Sequence, residues 1–194
     1  MIGVDYHADG RGEFSVWAPF REKVELHLLD RTAGVIPMER NRWGYWLATV
    51  EDVRPGVRYR YRLDGTEELP DPASQAQPAG VHGPSQVVDH GEFPWRVDEW
   101  RAIPLEEMVL YELHVGTFSE AGTFDGVVGR LDSLRQLGVN CVEIMPVAQF
   151  PGERNWGYDG VFPFAVQDTY GGTAGLKRLS DACHERGMNL VLDV

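Results

Sequence analysis

Several features that would assign a protein to a class directly are scarce in this sequence. It has only two cysteines in 194 residues, and Cys141 and Cys183 fall on a predicted strand and a predicted helix, so we expect reduced, packed thiols and no disulfide framework. No stretch approaches the ~20 apolar residues of a membrane span, so no membrane partner is expected. The first residues, 1–6, include neither a basic nor an apolar signal segment, which predicts a cytoplasmic protein.

Basic residues are also scarce. Lys and Arg number 18 against 30 Asp and Glu, for a net charge of −12, which makes nucleic acid a poor partner. Glycine pairs such as Gly171-Gly172 lack the context of a phosphate loop, and the serines lack that of a nucleophile elbow. The six histidines lack the spacing of a metal site, and we expect His114 to be structural. A neutral ligand such as a sugar is compatible with all of these absences.

The first part of the chain alternates apolar and polar residues with a period of two, which is typical of antiparallel strands. The apolar positions are Phe14, Val16, Val24, Leu26, Leu28, several within 43–50, Tyr59, Tyr61 and Leu63. Turn-forming pairs such as Pro55-Gly56 and Asp64-Gly65 separate them at short intervals, which favours a small β-sandwich. We place this domain at residues 1–90.

A segment rich in Pro, Gly and Ser follows, between residues 69 and 104, and it carries Trp95 and Trp100 among charged residues. It is longer than the usual connection of about 2 to 6 residues. The segment is therefore either docked or mobile, and its tryptophans favour docking. We assign residues 91–108 to a linker.

The second half alternates apolar runs of strand length with segments of helical periodicity. The runs cover residues 109–115, 141–147 and 190–194, and this order predicts a parallel sheet. Thr123 and Thr173 are predicted to cap the two intervening helices. The last run requires neighbouring strands on both sides, so we expect the chain to be a fragment of a longer protein.

Two glutamates suggest catalysis at first sight. Glu112 and Glu143 lie at similar depths in their strands, and paired acids serve glycosyl and proton transfer. Neither residue, however, ends its strand, where parallel sheets and barrels place their chemistry. We therefore expect both to bind structural partners inside the sheet.

The segment 150–164 is a stronger candidate because it follows the second parallel strand and rises at the face where ligands bind. Trp156 and Tyr158 offer flat apolar surfaces for a pyranose, while Asn155 and Asp159 offer hydrogen bonds for hydroxyls. The alternative is an aromatic loop packed for stability. Asp193 ends the third strand at the same face, where it could orient an arginine or a hydroxyl.

Longer motifs resemble a known family. They are FSVWAPFREKVEL, PDPASQAQPAGVHGPSQVVD, YELHVGTFSEAGTFDG, VEIMPVAQFPGERNWGYDGV and QDTYGGTAGLKRLSDACHERG. Over nearly the whole chain they resemble the α-amylase family of glycoside hydrolases, and within it the trehalose-releasing hydrolases. Branching enzymes of the family typically have glutamine where this chain has Asp159.

The resemblance implies a multi-domain protein of β and α/β class. An N-terminal immunoglobulin-like β-sandwich would precede the first three strands of a (β/α)8 TIM barrel, which would occupy residues 109–194. The parent enzyme would cleave, with retention of configuration, the α-1,4 bond next to the terminal trehalose of maltooligosyl trehalose or a related α-glucan, without a cofactor or a metal. The alternatives are a fragment of a glycogen or starch branching enzyme and a non-catalytic glucan-binding module.

The resemblance also implies roles for particular residues. Tyr158 would stack at the subsite of the reacting glucose, Asp193 would begin a family signature, and Trp156 and Asp159 would be neighbouring substrate-binding residues. The three catalytic carboxylates of the family follow later barrel strands, beyond Val194. We therefore expect no catalytic residue in this chain and no activity from it alone.

Overall fold

The computed structural model describes residues 2–31 and 34–194. The chain divides into two compact units. The first unit extends to Glu92 and also includes Val161–Ala165, while the second unit comprises Phe93–Gly160 and Val166–Val194.

Two antiparallel sheets form the first unit. Its strands are β1 (Gly3–Tyr6), β2 (Gly12–Trp17), β3 (Val24–Leu28), β4 (Val35–Pro37), β5 (Glu39–Arg40), β6 (Tyr45–Val50), β7 (Arg58–Leu63), β8 (Glu67–Leu69) and β9 (Ser85–Gln86). One sheet has the order β1-β2-β6-β5; the other has the order β4-β3-β7-β8, and β9 also pairs with β7.

Alternate residues of both sheets build one core. Phe14 and Val16 of β2 are buried together with Tyr59 and Tyr61 of β7, and the rings of Phe14 and Tyr59 meet edge to face with centroids 5.1 Å apart. Two sheets around a shared apolar core form the β-sandwich that the period-two pattern predicts.

A buried carboxylate ties the start of the Pro-rich segment to this core. Asp71 is 0% exposed and accepts hydrogen bonds from the Tyr59 hydroxyl at 2.7 Å, the Ala73 N–H at 2.8 Å and the Tyr61 hydroxyl at 3.4 Å. Burial raises the pKa of Asp71, although these hydrogen bonds oppose the rise. The segment after β8 is therefore docked on the sandwich.

A short piece from later in the sequence completes the first unit. Phe162 and Ala165 are buried in a small apolar cluster with Val81, and they lie in strand β13 (Phe162–Val166). The sequence pattern did not indicate this return of the chain.

The second unit is built on a parallel sheet of order β10-β11-β14. Its strands are β10 (Leu110–Leu113), β11 (Cys141–Ile144), the short β12 (Ala148–Gln149) and β14 (Asn189–Leu192). Its α-helices are α1 (Val115–Phe118), α2 (Phe124–Val128), α3 (Leu131–Gln136) and α4 (Gly172–Glu185). Two 3-10 turns lie at Leu105–Glu107 and Asp168–Tyr170. Leu113 and Ile144 of the sheet are buried with Phe124, Leu131 and Leu179 of the helices. The predicted strand–helix alternation is confirmed.

The two predicted helix caps have different outcomes. Thr123 caps α2 as expected, because its hydroxyl oxygen accepts a hydrogen bond from the Gly126 N–H at 3.2 Å. The Thr173 prediction is wrong: α4 begins at Gly172 with Gly171 as its N-cap residue. Gly171 has φ of +112°, a left-handed conformation that glycine adopts without a steric penalty, so the helix starts earlier than the threonine suggests.

Part of the linker docks on α4, as its tryptophans predict. The Trp100 ring stacks on the His184 imidazole with centroids 4.3 Å apart, and Arg96 Nε donates to Asp181 Oδ2 at 2.6 Å. Trp95 is more open, with 42% of its surface exposed.

Both cysteines are free and buried, as expected. Burial raises the pKa of the Cys183 thiol to about 12. Within the described residues, no helix combines the length and the apolar character needed to cross a lipid bilayer.

Candidate functional site

Two of the predicted site residues meet at the carboxyl end of the parallel sheet. The Tyr158 hydroxyl donates a hydrogen bond to Asp193 Oδ2 at 2.7 Å, and the backbone N–H of Asp193 donates to the Ile144 carbonyl at 3.0 Å. Asp193 directly follows β14, so the sheet fixes its position. Tyr158 is thereby anchored through its polar tip, while 59% of its surface is exposed.

The same contact shifts the pKa of the phenol. The hydrogen bond to Asp193 raises the pKa of Tyr158 above its usual value, and loss of hydration together with the nearby charges of Glu112 and Glu143 acts in the same direction. A tyrosine is already protonated at neutral pH, and the upward shift of its pKa reinforces the role of Tyr158 as the donor to Asp193.

The other three predicted residues, Asn155, Trp156 and Asp159, lie on the same loop as Tyr158 but have different surroundings. Asn155 Nδ2 donates to Asp159 Oδ2 at 3.2 Å, and Asn155 Oδ1 accepts from the Gly157 N–H at 2.7 Å. Asn155 thus shapes the turn and holds Asp159. Trp156 is 76% exposed, so its ring is not used to pack the core, which counts against an aromatic loop that serves only stability.

His114 anchors this loop from the end of β10. His114 Nε2 lies 2.7 Å from the Asn155 carbonyl oxygen, and because a carbonyl can only accept, Nε2 carries the hydrogen. Nδ1 lies 3.2 Å from Thr117 Oγ1. The structural role expected for His114 is confirmed, but its main partner, 41 residues later in the chain, was not apparent from the sequence. His114, Thr117, Met145 and Trp156 line a cleft of about 310 Å³.

Glu112 and Glu143 occupy directly opposite positions on neighbouring strands. The next residues, Leu113 and Ile144, point into the core against the helices, so the two carboxylates lie on the other face of the sheet. Within the part of the chain that the structure describes, neither has a hydrogen-bond or ion-pair partner. The expected structural partners are therefore not found among the described residues, where the face that the two carboxylates share is not the packed one.

A tight turn in the loop places Tyr158 and gives a testable prediction. Gly157 has φ of +102°, and a Cβ at this position would clash with the Pro146 carbonyl oxygen. Replacing Gly157 by Ala must therefore move the loop, and we expect a loss of about 2 to 4 kcal/mol in the free energy of unfolding.

The matched control is Gly152→Ala, because Gly152 also has a positive φ, +78°, but nothing lies within 4 Å of its added Cβ. We expect that change to cost only about 1 kcal/mol. Urea unfolding of both variants measures the difference, and equal costs would contradict the close approach at Gly157.

Metal ligands are not grouped at this site. In residues 2–31 and 34–194, no cluster of three or more His, Cys, Asp or Glu side chains is arranged to hold a metal ion. The side chains present at the site are exposed aromatic rings, carboxylates and an amide at the carboxyl ends of parallel strands, and this set suits a neutral polyhydroxyl ligand.

Comparison with known proteins identifies the class. Residues 95–194 match the alpha amylase catalytic domain, and residues 1–89 match carbohydrate-binding module 48, the isoamylase N-terminal domain. The chain belongs to the alpha-amylase family. Its three parallel strands are the start of that catalytic domain, and the sandwich is the module that precedes it.

Individual relatives make the comparison more specific. The chain is 48% identical to malto-oligosyltrehalose trehalohydrolase of Saccharolobus solfataricus, over 93% of this chain and 32% of that protein. It is 46% identical to the protein of the same name from Mycobacterium tuberculosis, over 93% of this chain and 31% of that protein. The resemblance to the trehalose-releasing hydrolases is confirmed.

A solved structure agrees with this similarity. A Salmonella typhimurium protein, assigned provisionally as an alpha amylase, superposes on the whole chain with a TM-score of 0.94 at 41% identity, and the match covers 32% of that protein. The chain thus spans about a third of the length of these relatives.

Proposed function

We propose that this chain is the substrate-binding module and the first part of the barrel of a retaining glycoside hydrolase that releases trehalose from maltooligosyl trehalose. The substrate would be cleaved at the α-1,4 bond next to its terminal trehalose unit. The similarity to malto-oligosyltrehalose trehalohydrolases supports the substrate, and the contact between Tyr158 and Asp193 supports the role of this sheet edge in binding it.

The hydrogen bond between Tyr158 and Asp193 is the observation that carries the proposal. It joins a loop residue to the end of a barrel strand at 2.7 Å, at the face where barrels of this kind bind their substrates. Because the bond fixes only the hydroxyl, the face of the ring is left for the C–H surface of a glucose. The exposed Trp156 ring offers a second such surface on the same loop.

The hydrolysis itself requires two carboxyl groups about 5 to 5.5 Å apart, one as nucleophile and one as acid/base. We assign neither role to a residue of this chain. Tyr158 would contact the sugar as positive charge develops on it, and Asp193 would hold that ring in place. Asp159 would hydrogen-bond a sugar hydroxyl through the oxygen that Asn155 leaves free.

The location and the partners of the protein are part of the same proposal. We propose a cytoplasmic enzyme that acts on a soluble α-glucan, without a nucleic-acid or membrane partner. The net charge of −12 supports the choice of a neutral substrate over an anionic one.

The experiment uses this sequence joined to a complete barrel of its family. Incubated with maltotriosyl trehalose, the enzyme should release trehalose and maltotriose. NMR early in the reaction should show the new reducing end of maltotriose as the α anomer. Maltohexaose, which has no trehalose end, is the control and should be cut far more slowly. Formation of α-1,6 branches without trehalose would contradict the proposal and support a branching enzyme.

The 194-residue chain by itself gives the complementary prediction. We expect trehalose release no higher than in a sample without protein, because the family resemblance assigns all three catalytic carboxylates to later strands. Release clearly above that background would show that residues 1–194 contain catalytic groups after all.

A further inference from the structure

His114 belongs to a network of hydrogen bonds that begins in the core of the second unit and ends at the loop carrying Trp156 and Tyr158. Nε2 of His114 lies 2.7 Å from the Asn155 carbonyl oxygen and 3.3 Å from the Tyr170 hydroxyl oxygen. Tyr170 is buried. The loop is therefore connected through His114 to a residue that the core holds in place.

The core end of this network is rigid. The Tyr170 ring meets the rings of Phe124 and Phe150 edge to face, with centroids 6.0 Å and 5.7 Å apart, and both phenylalanines are fully buried. The His114 ring meets the Tyr170 ring in the same way, with centroids 6.1 Å apart. A side chain packed on several sides keeps its rotamer, so Tyr170 gives His114 a fixed position.

The second ring nitrogen of His114 favours one tautomer. Because Nε2 donates to a carbonyl, Nδ1 of the neutral ring is an acceptor, and it lies 3.2 Å from the Thr117 hydroxyl oxygen. That hydroxyl can donate to Nδ1, so Thr117 supports the tautomer that the contact with Asn155 requires. Contacts at both nitrogens therefore set the orientation of the imidazole and the direction of its hydrogen bonds.

Gly116 provides the space in which His114 and Tyr170 meet. A Cβ at this position would lie 3.0 Å from Cε1 of His114 and 3.1 Å from the Tyr170 hydroxyl oxygen. Both distances are shorter than the optimal separation of non-bonded atoms, about 3.5 to 4.0 Å. Any larger residue would therefore press on the two side chains at the start of the network.

Asn155 carries the position of His114 into the rest of the loop. Its carbonyl oxygen accepts from His114, while its side chain accepts from the Gly157 N–H at 2.7 Å and donates to Asp159 Oδ2 at 3.2 Å. Gly157 and Asp159 are the two sequence neighbours of Tyr158. The position of the Tyr158 backbone therefore depends on Asn155 and, through it, on His114.

We propose that His114 is a positioning residue of the substrate site, which holds the Asn155 carbonyl and thereby sets how the loop presents Tyr158 and Trp156 to the sugar. The role of His114 rests on the function proposed above, and His114 acts through Asn155 without contacting the sugar itself. A displacement of about 1 Å at a substrate site can cost about a hundredfold in rate. We expect a smaller loss here, about tenfold, because the Tyr158 hydroxyl keeps its own hydrogen bond.

The test compares two amides at position 114 in an enzyme that carries this sequence and a complete barrel. In His114→Gln the amide nitrogen takes the place of Nε2 and can donate to Asn155, whereas the shorter His114→Asn places its amide near Nδ1. We expect kcat/KM to fall about threefold or less for Gln and about tenfold for Asn, which loses the hydrogen bond. His82→Ala, at an exposed histidine of the first unit, is the matched control and should leave kcat/KM unchanged.

A second background separates positioning from stability. In a Tyr158→Ala enzyme the ring to be positioned is gone, so we expect His114→Asn to cost less than about threefold there. A histidine that serves stability alone would lower the melting temperature and give the same ratio of kcat/KM in both backgrounds. Equal losses for Gln and Asn, or equal ratios in the two backgrounds, would overturn the proposal.

Hydrogen exchange of residues 150–160, followed by mass spectrometry of the sugar-free enzyme, reads the loop without any reaction. Exchange should be faster in His114→Asn than in His114→Gln, and exchange unchanged in both would overturn the proposal. The kinetic ratios are measured on whichever α-glucan reaction the unmodified enzyme carries out. An enzyme that forms α-1,6 branches, with His114→Asn still slower than His114→Gln, would refute trehalose release and support His114 as a positioning residue.

Discussion

Replacing Tyr158 by Ala is expected to lower kcat/KM for trehalose release by about a hundredfold in an enzyme that carries this sequence and a complete barrel. The proposed function places this ring against the reacting sugar, and an imperfectly placed sugar costs about that factor. Because 59% of Tyr158 is exposed, the melting temperature should change by only a few degrees. Steady-state kinetics on maltotriosyl trehalose, with a melting curve of each variant, measures both effects.

Two conservative variants separate the contribution of the Tyr158 ring from that of its hydrogen bond to Asp193. Tyr158→Phe keeps the ring but loses the hydrogen bond to Asp193, and Asp193→Asn keeps an acceptor without the charge. We expect each to reduce kcat by about tenfold or less, and the double variant to lose little more than Tyr158→Phe, since both changes weaken the same contact. A Tyr158→Ala enzyme with unchanged kinetics would exclude Tyr158 from the substrate site.

Replacing Asp71 by Ala is expected to lower the free energy of unfolding of the first unit by about 3 to 5 kcal/mol. The change leaves the hydroxyls of Tyr59 and Tyr61 and the N–H of Ala73 without their acceptor in a fully buried place. Such a loss is a large share of the stability of a small domain. Urea unfolding followed by near-ultraviolet circular dichroism measures it, and a loss below about 1 kcal/mol would contradict it.

Asp71→Asn is the matched control and gives a pH dependence. Burial raises the folded-state pKa of Asp71 above its ordinary value of 3.8, so the protonated carboxyl favours the folded state. Its contribution to stability is complete below that ordinary value and is lost as the pH rises through the raised pKa. Asn does not ionise, so Asp71→Asn should gain stability relative to the parent chain as the pH rises from about 4 through the raised pKa of Asp71. A constant difference would show that Asp71 does not titrate there.

Much of the fold follows from patterns that act over a few residues. The alternation around Phe14 and around Tyr59 depends only on which face of a strand is buried, and Thr123 acts on a backbone group three residues away. The start of α4 was missed because a left-handed glycine, Gly171, competes with a normal capping residue, Thr173. The burial of Asp71 could not be predicted, because no local pattern in the Pro-rich segment indicates a buried carboxylate.

The candidate site was only partly predictable. The position of Trp156 and Tyr158 after a parallel strand follows from topology alone, whereas the bond between Tyr158 and Asp193 joins residues 35 positions apart and requires the folded sheet. The outward position of Trp17 follows from strand alternation, because Trp17 is adjacent to the buried Val16. Hydrophobicity alone favours the core for a tryptophan, so the 57% exposure of Trp17 became clear only from the structure.

The cluster formed by Val81, Phe162 and Ala165 has a consequence for folding during translation. During synthesis the strands of the sandwich leave the ribosome early, but the residues that cover Val81 follow roughly 70 positions after Glu92. At ~5 to 20 residues per second, this is a delay of about 4 to 14 seconds. The sandwich would spend that interval with an apolar spot open to chaperones, and it would become complete only when much of the second unit had also been translated.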